Sequence, residues 1–485
     1  MLVVMITIIA ANRASLKLNG CATSGLGSPL VKNKVVRIMT TSSEYTEANA
    51  WNQQPSSGQT NNNNNKSNGY QVRPVVALSE ERIKGWVEAF NQCCSNKMTS
   101  EQCVLYRLHD TDLLRLMEEC ESYSYTPSTS ICFCVTRPKL REIFAANFRD
   151  RIVQHWICMR IEPLFERRYA AMGDVTWNCR KGKGVRLAVN ALRCDILEVS
   201  CNYTRRAYVG RFDVAAFFMN IDIRILERLA VAFVRKYYHE PDVDLLVYLL
   251  TVTIRHRPQN NCTKRGDPRL WAMLPAGKTL FLQPNYRGMP IGNITSQLLA
   301  GFYMSFLDEY MVGLCKSLDA RYERFVDDFA VVCRRKADVL MLRDKAGAFL
   351  QRKLNLQLHH DKQYIQDVTH GVYFVGSVIK MERVYISNRT VAGFIEKLKE
   401  LDAYLAGIKR FGVDEAYVLD HYLMSLNSYM GFFIDKATYA LRRRAVKRYC
   451  PRLFDYYVVK GHFEVFKVKS KYSISNLLLI QDVYG

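Results

Sequence analysis

Residues 321–333 read Arg-Tyr-Glu-Arg-Phe-Val-Asp-Asp-Phe-Ala-Val-Val-Cys and constrain the fold more than any other stretch. An apolar, β-prone run enters Asp327 and Asp328, and a second such run leaves them. That pattern predicts strand, tight turn, strand. Two carboxylates ~4 Å apart repel by roughly 4 kcal/mol at an effective dielectric near 20, so a hairpin tip carrying both favours a cation. Oxygen-only ligation suits Mg²⁺, which takes one or two carboxylates plus substrate phosphates. On this stretch alone, an ordinary hairpin with an Asp-rich turn fits equally well.

A second acid upstream tips that balance. Tyr208–Asp213 is a short strand ending in an aspartate, followed by Val214-Ala215-Ala216-Phe217-Phe218. Asp213 could simply cap a helix, but Asp222 is better placed to cap the apolar periodic segment containing Leu226, Leu229, Ala230 and Phe233. One strand delivering an Asp and one hairpin delivering two is the layout of a two-metal phosphoryl-transfer site, where ions ~3.5–4 Å apart stabilise attacking and leaving oxygens.

Composition agrees with a polyanionic partner. Lys+Arg outnumber Asp+Glu by 68 to 46, a formal charge of +22, and nucleic acid is the first candidate for such a chain. The 485 residues allow several domains. Fifteen cysteines without a CxxC pair indicate neither a zinc ribbon nor a redox dithiol, and unpaired, core-compatible thiols predict a cytoplasmic location. The apolar stretch from Leu2 to Ala11 falls short of the ~20 residues a membrane span needs, so no membrane partner is expected. Residues 1–72 form the first segment, a disordered tail whose first 38 residues look like an over-called start; its Asn61–Asn65 run and Ser/Thr/Gln/Gly bias bury too little apolar surface to fold.

Helical periodicity marks 79–122 and Phe148–Glu162, the latter expected to stop at Pro163. Cys179–Gly184 is a basic glycine turn before a helix at Val185–Val199, and its Gly-Lys-Gly can approach phosphates or be a solvated loop. Residues 255–283 are expected to be a basic connection. The run from Pro290 to Gln297 feeds a helix with Leu298, Phe302, Phe306 and Tyr310 on one face, and 337–356 is a further helix. Leu356–Lys362 and Gly371–Gly376 suggest strands or turns at a sheet edge, and from Ser387 onward the pattern is helical.

Taken in order, these motifs resemble reverse transcriptases from about Thr136 to Gly376. Asp213 with Phe217-Phe218 is similar to the first palm motif, and Phe325-Val326-Asp327-Asp328 to the hairpin motif. The resemblance implies an α+β right-hand polymerase: N-terminal helices and fingers at 73–205, a palm of antiparallel sheet plus helices at 206–386 with interleaved finger elements, and a helical thumb at 387–485. It implies catalytic Asp213, Asp327 and Asp328, with Val214 lending a carbonyl to two Mg²⁺ ions. Lys139 and Arg141 would hold the incoming triphosphate, Lys362 would protonate the leaving pyrophosphate, and Gly371, Phe374 and Gly376 would form a primer grip. Phe218 would crowd a ribose 2′-hydroxyl and select dNTPs; its bland alternative is core packing.

Ile291-Gly292 followed by Ser296-Gln297 departs from the Gln-Gly and Ser-Pro usual in that family and is similar to the diversity-generating retroelement type. That type copies a template-repeat RNA with frequent misincorporation at adenines, alongside a small basic oligomeric accessory protein. Isoleucine cannot make glutamine's hydrogen bonds, and each lost contact of ~1.4 kcal/mol is about tenfold in discrimination. The expected partners are thus template RNA, a DNA or RNA primer, dNTPs and such an accessory protein. A retron-like or phage-defence reverse transcriptase, an intron-encoded enzyme, and a non-catalytic RNA-binding scaffold with a palm fold remain alternatives.

Overall fold

The computed structural model describes residues 79–95, 103–104, 106, 110–136, 139–474 and 476. The expected tail at 1–72 lies outside the described residues. Helices α1 (Glu80–Cys94) and α2 (Asp110–Glu121) open the chain. Ser79 caps α1 by accepting from the Arg82 amide, and Trp86 of α1 stacks on Trp156 at 4.9 Å. Strands β1 (Ser130–Val135) and β2 (Arg141–Ala145) form an antiparallel pair.

Trp156 belongs to α3 (Phe148–Ala171), which runs straight through Pro163, not stopping before it as the sequence predicts. Interior proline costs about 3 kcal/mol. Beyond it Leu164, Phe165 and Tyr169 are buried, and Phe165 stacks on Phe302 at 4.3 Å. Burying such side chains contributes about 1.5–3 kcal/mol each, which outweighs the proline.

Next come α4 (Val185–Val199), β3 (Tyr208–Asp213), α5 (Ile223–Tyr237, capped by Asp222), α6 (Val243–Arg255) and β4 (Cys262–Arg265). The sequence reading assigns β4 to a loop; it pairs in parallel with β1, giving the order β2-β1-β4. Its Cys-Thr-Lys-Arg has no alternation to betray it, and only the β1 edge makes it a strand.

The central sheet has the order β5-β6-β3-β7, with β5 (Arg321–Phe325), β6 (Asp328–Cys333) and β7 (Tyr364–Asp367), all pairs antiparallel. Its side chains alternate between two cores. Phe212, Phe329, Val331 and Cys333 join the large core that includes α7 (Ile294–Ser317) and α8 (Lys336–Leu354). Val209, Ala330 and Val332 face Ala188, Val189, Leu192 and Ile196 of α4. By the same alternation Arg211, Asp213 and Asp328 share the α4 side, at the end nearer the β5–β6 turn. The pleat alone therefore brings acid and cation to one spot.

α7 is long and apolar enough to cross a membrane by length and composition, but over half of that window is buried inside the protein, as for a central core helix. A small sheet of β8 (Val372–Phe374), β9 (Ser377–Ile379) and β10 (Val384–Ile386) follows. The last region holds α9 (Asn388–Ala406), α10 (Val413–Phe433) and α11 (Tyr439–Tyr449) around Phe394, Leu398, Leu426 and Val446. It is not wholly helical as expected: β11 (Tyr457–Lys460) and β12 (Val465–Val468) form a hairpin whose Tyr457 and Phe466 complete that core. Every described cysteine is a free thiol.

Candidate active site

Asp213 ends β3 directly opposite Asp328, its register partner on β6, and Asp327 lies in the two-residue turn between β5 and β6. The Val214 amide donates to the Asp327 carbonyl at 3.3 Å, and the His359 amide donates to the Asp213 carbonyl at 2.7 Å, so backbone bonds tie the three acids into one unit. Asp213 is buried, and its Oδ2 accepts from Lys362 Nζ. Arg211 Nε stands 3.9 Å from Asp328 Oδ1.

These two cations do not neutralise three acids. Burial, then the Asp213 and Asp328 carboxylates, push Asp327 up to about 7. Asp328 is raised by burial, with Arg211, Lys362 and Lys139 pulling the other way. An oxygen-rich donor set short of positive charge fits a divalent cation such as Mg²⁺. Among the described residues no three His, Cys, Asp or Glu side chains form a ready-made metal cage. Asp213, Asp327 and Asp328 stand together at one end of the sheet, and the Lys362 ammonium pairs with one oxygen of Asp213.

The turn itself is strained. Val326 has φ 59°, a conformation that β-branched residues avoid and that costs about 1–3 kcal/mol. Its amide donates to Asn178 Oδ1 at 2.7 Å, and its carbonyl accepts from Arg324 Nη1 at 2.8 Å. Arg324 is itself fixed by two 2.6 Å bonds to Asp308, and both side chains are fully buried.

Cations from separate elements meet beside the acids. Lys139, just before β2, is held below the usual lysine range by partial burial and by Lys362, Arg389, Arg141 and Lys278. The structure thus gathers Lys139, Arg141 and Lys362. It adds Arg389 at the start of α9 and Lys278, which no local pattern signalled.

The two phenylalanines after Asp213 divide their roles. Phe217 is buried in the large core, whereas Phe218 is only half-buried. Phe218 and Ile291 pack around Phe144, Met219 and Leu280, an apolar patch. The Ile291 carbonyl accepts from the Phe144 amide at 2.8 Å. Gly292 has φ +127°, and a Cβ there would stand 2.5 Å from the Phe144 carbonyl oxygen. Only glycine allows this loop to lie against β2.

The expected primer-grip residues form the β8–β9 hairpin, with Gly371 and Gly376 at φ +87° and +82°. Phe374 requires correction as a contact residue: its ring is fully buried in the core, because alternation along β8 turns it inward. Its exposed neighbour Tyr373 faces the site instead. Arg211 lies over the Tyr373 ring at 4.9 Å and donates to its carbonyl at 3.4 Å. Arg211 went unrecognised in the sequence; its spacing of two from Asp213 on a strand was the available signal.

The cations of the basic glycine turn are engaged within the protein. Arg180 pairs with Glu166 and Asp174, Lys181 with Glu162, and Lys183 with Asp174.

No family model matches the chain. Over 321 residues, 59% of this chain and 76% of the relative, it is 23% identical to Protein YkfC of Escherichia coli K12. Among solved structures it is similar to apo telomerase from Candida tropicalis truncated from its C-terminal domain, at TM-score 0.39 and 13% identity over 54% of this chain and 55% of that one. It is also similar to telomerase from Candida albicans in complex with a TWJ fragment of telomeric RNA, at TM-score 0.38 and 11% identity over 68% of this chain and 57% of that one. The chain spans little more than half the length of these telomerase chains.

Proposed function

We propose that this chain is an RNA-directed DNA polymerase of the diversity-generating retroelement type, extending a primer with dNTPs on an RNA template. The observation that carries the reading is the facing pair Asp213 and Asp328, with Asp327 in the joining turn and cations from several elements alongside. In this reading residues 73–205 supply fingers, 206–386 the palm and 387–485 the thumb.

Asp213, Asp327 and the Val214 carbonyl would hold two Mg²⁺ ions, with Asp328 assisting; bound there, the ions would stabilise negative charge on the attacking and leaving oxygens. The protein's own part is position and charge. Lys139 and Arg141 bind the triphosphate from the fingers. Lys362 neutralises Asp213 before the nucleotide arrives and then carries a proton toward the leaving pyrophosphate. The β8–β9 hairpin, through Gly371, Tyr373 and Gly376, orients the primer end. Half-buried Phe218 crowds a 2′-hydroxyl. Ile291 presents a hydrocarbon surface where a hydrogen-bonding side chain would report base-pair geometry, which supports misincorporation at adenines. A small basic oligomeric accessory protein completes the complex, in the cytoplasm.

Primer extension by the full chain in Mg²⁺, with cognate RNA and accessory protein, tests the reading. Extension with dNTPs that Asp327→Asn abolishes is expected, as is increased NTP use by Phe218→Ala. A blank wild-type reaction would favour a non-catalytic RNA-binding scaffold. Faithful copying of adenine, or flanking DNA without a near-duplicate repeat differing at adenines, would remove the diversification role and leave the polymerase.

A further inference from the structure

We propose that Asn178 is a positioning residue for catalysis: its side-chain oxygen holds the left-handed Val326 and thereby sets where Asp327 points. The inference rests on the polymerase reading above and goes beyond it, since Asn178 belongs to neither palm motif.

Val326 immediately precedes Asp327, so its backbone angles fix the direction in which the Asp327 carboxylate leaves the turn. A valine at φ 59° relaxes elsewhere unless its surroundings hold it. Asn178 is buried, and its Oδ1 accepts the Val326 amide at 2.7 Å. Asn178 is in turn held from behind. Thr176 bridges to Arg324 on the free edge of β5, the Arg324 amide donates to the Val175 carbonyl at 2.8 Å, and the Trp177 amide donates to the Arg324 carbonyl at 3.2 Å. Buried Arg180 then ties the segment down, donating to the Thr176 carbonyl at 2.8 Å while paired with Glu166 and Asp174. Segment 175–178 thus acts as a short extra strand whose last side chain reaches the catalytic turn. Cys179 next to it donates to Gln297 Oε1 at 3.5 Å, so the same segment also touches the start of α7.

This gives the basic glycine turn a task. Its cations anchor the segment that supports the acids, and its glycines let the chain turn from that anchor into α4.

The test is steady-state primer extension by the full chain with RNA template, comparing wild type, Asn178→Ala, Val326→Gly and the double variant. Glycine tolerates positive φ, so a turn containing it depends less on the clamp. Asn178→Ala is expected to lower kcat about 10- to 100-fold with little change in KM for dNTP, as for a misplaced reacting group. Adding Val326→Gly is expected to bring kcat back to within about threefold of the Val326→Gly single variant, the non-additivity of a coupled pair. A merely structural Asn178 would show no such rescue. Wild-type kcat in Asn178→Ala, or a defect that Val326→Gly leaves untouched, overturns the inference. Should Asn178→Ala not fold, Asn178→Asp, which keeps the acceptor oxygen, is expected to exceed Asn178→Leu at least about tenfold, and equal rates overturn the inference. A wild-type chain that extends no primer sinks the polymerase reading as well; wild-type activity with an indifferent Asn178→Ala sinks this inference alone.

Discussion

Replacing Asp308 by Asn separates what holds the fold from what aims the site. Arg324 Nε and Nη2 each lie 2.6 Å from an Asp308 oxygen, Tyr322 donates to the same carboxylate at 2.8 Å, and neither charged side chain has exposed area. Asparagine keeps the shape and one acceptor but removes the counter-charge, leaving a guanidinium alone in the core. Breaking one partner of a buried pair costs about 3–5 kcal/mol, and the retained acceptor puts Asp308→Asn near the lower figure. Guanidinium-induced unfolding, followed by tryptophan fluorescence, reads that loss. Replacing both partners by apolar residues, Asp308→Leu with Arg324→Met, removes the stranded charge and is expected to regain most of the stability. It should not regain extension, because the Val326 carbonyl has lost the Arg324 Nη1 that donates to it at 2.8 Å. Asp308→Asn within about 1 kcal/mol of wild type would refute the stability argument. A double variant that extends primers at the wild-type rate would refute the aiming argument.

Gly292→Ala puts a methyl group 2.5 Å from the Phe144 carbonyl at a backbone angle alanine avoids, so it should destabilise by more than about 1 kcal/mol and depress extension, both checked on purified protein. Glu323 is buried beside Asp195, and burial followed by that neighbour pushes its carboxyl up to about 9. Because the folded chain keeps this proton while the unfolded chain releases it near pH ~4.3, the contribution is full below that value and is lost as pH rises through about 9. Glu323→Gln should flatten that decline, measured as urea midpoints across the interval. Arg211→Met removes the guanidinium between Asp328 and Tyr373; extension should fall about tenfold with little change in melting temperature, and unchanged extension would remove Arg211 from the site.

The acids were legible in the sequence because a strand ending in Asp213 and a hairpin carrying Asp327 and Asp328 together match a metal-site layout that neither shows alone. The strand ending at Asp213, the two-residue turn and the helices at Val185–Val199 and Lys336–Leu354 lie where local pattern puts them. What local pattern missed is set by distant partners. Pro163 stays helical because Phe165 meets Phe302, more than a hundred residues away in sequence. β4 is a strand because β1 offers an edge. Arg211 meets Tyr373 from a strand far away in sequence, and nothing near Asn178 announces that its oxygen ends at Val326. Phe374 and Tyr373 carry equal aromatic signals, and only the direction of the pleat separates the core ring from the site ring.

Charge distribution connects these observations to the proposed chemistry. Lys362 sits on Asp213 and Arg211 approaches Asp328, whereas Asp327, the acid in the strained turn, has no such ion pair among the described residues and is the one pushed up to about 7. An acid left without a cation in a half-buried turn destabilises the resting chain, and the surroundings answer with a clamp made of Asn178, Arg324 and Asp308. Lys362 is a single positive charge, so a polyphosphate held by Lys139 and Arg141 would compete with Asp213 for its ammonium. In the proposed reaction that competition frees an Asp213 oxygen only when a nucleotide is present. Lys362→Met therefore removes both a proton source and the partner that neutralises Asp213. It should lower kcat more than it raises KM for dNTP, and a change confined to KM would leave Lys362 with no role beyond binding.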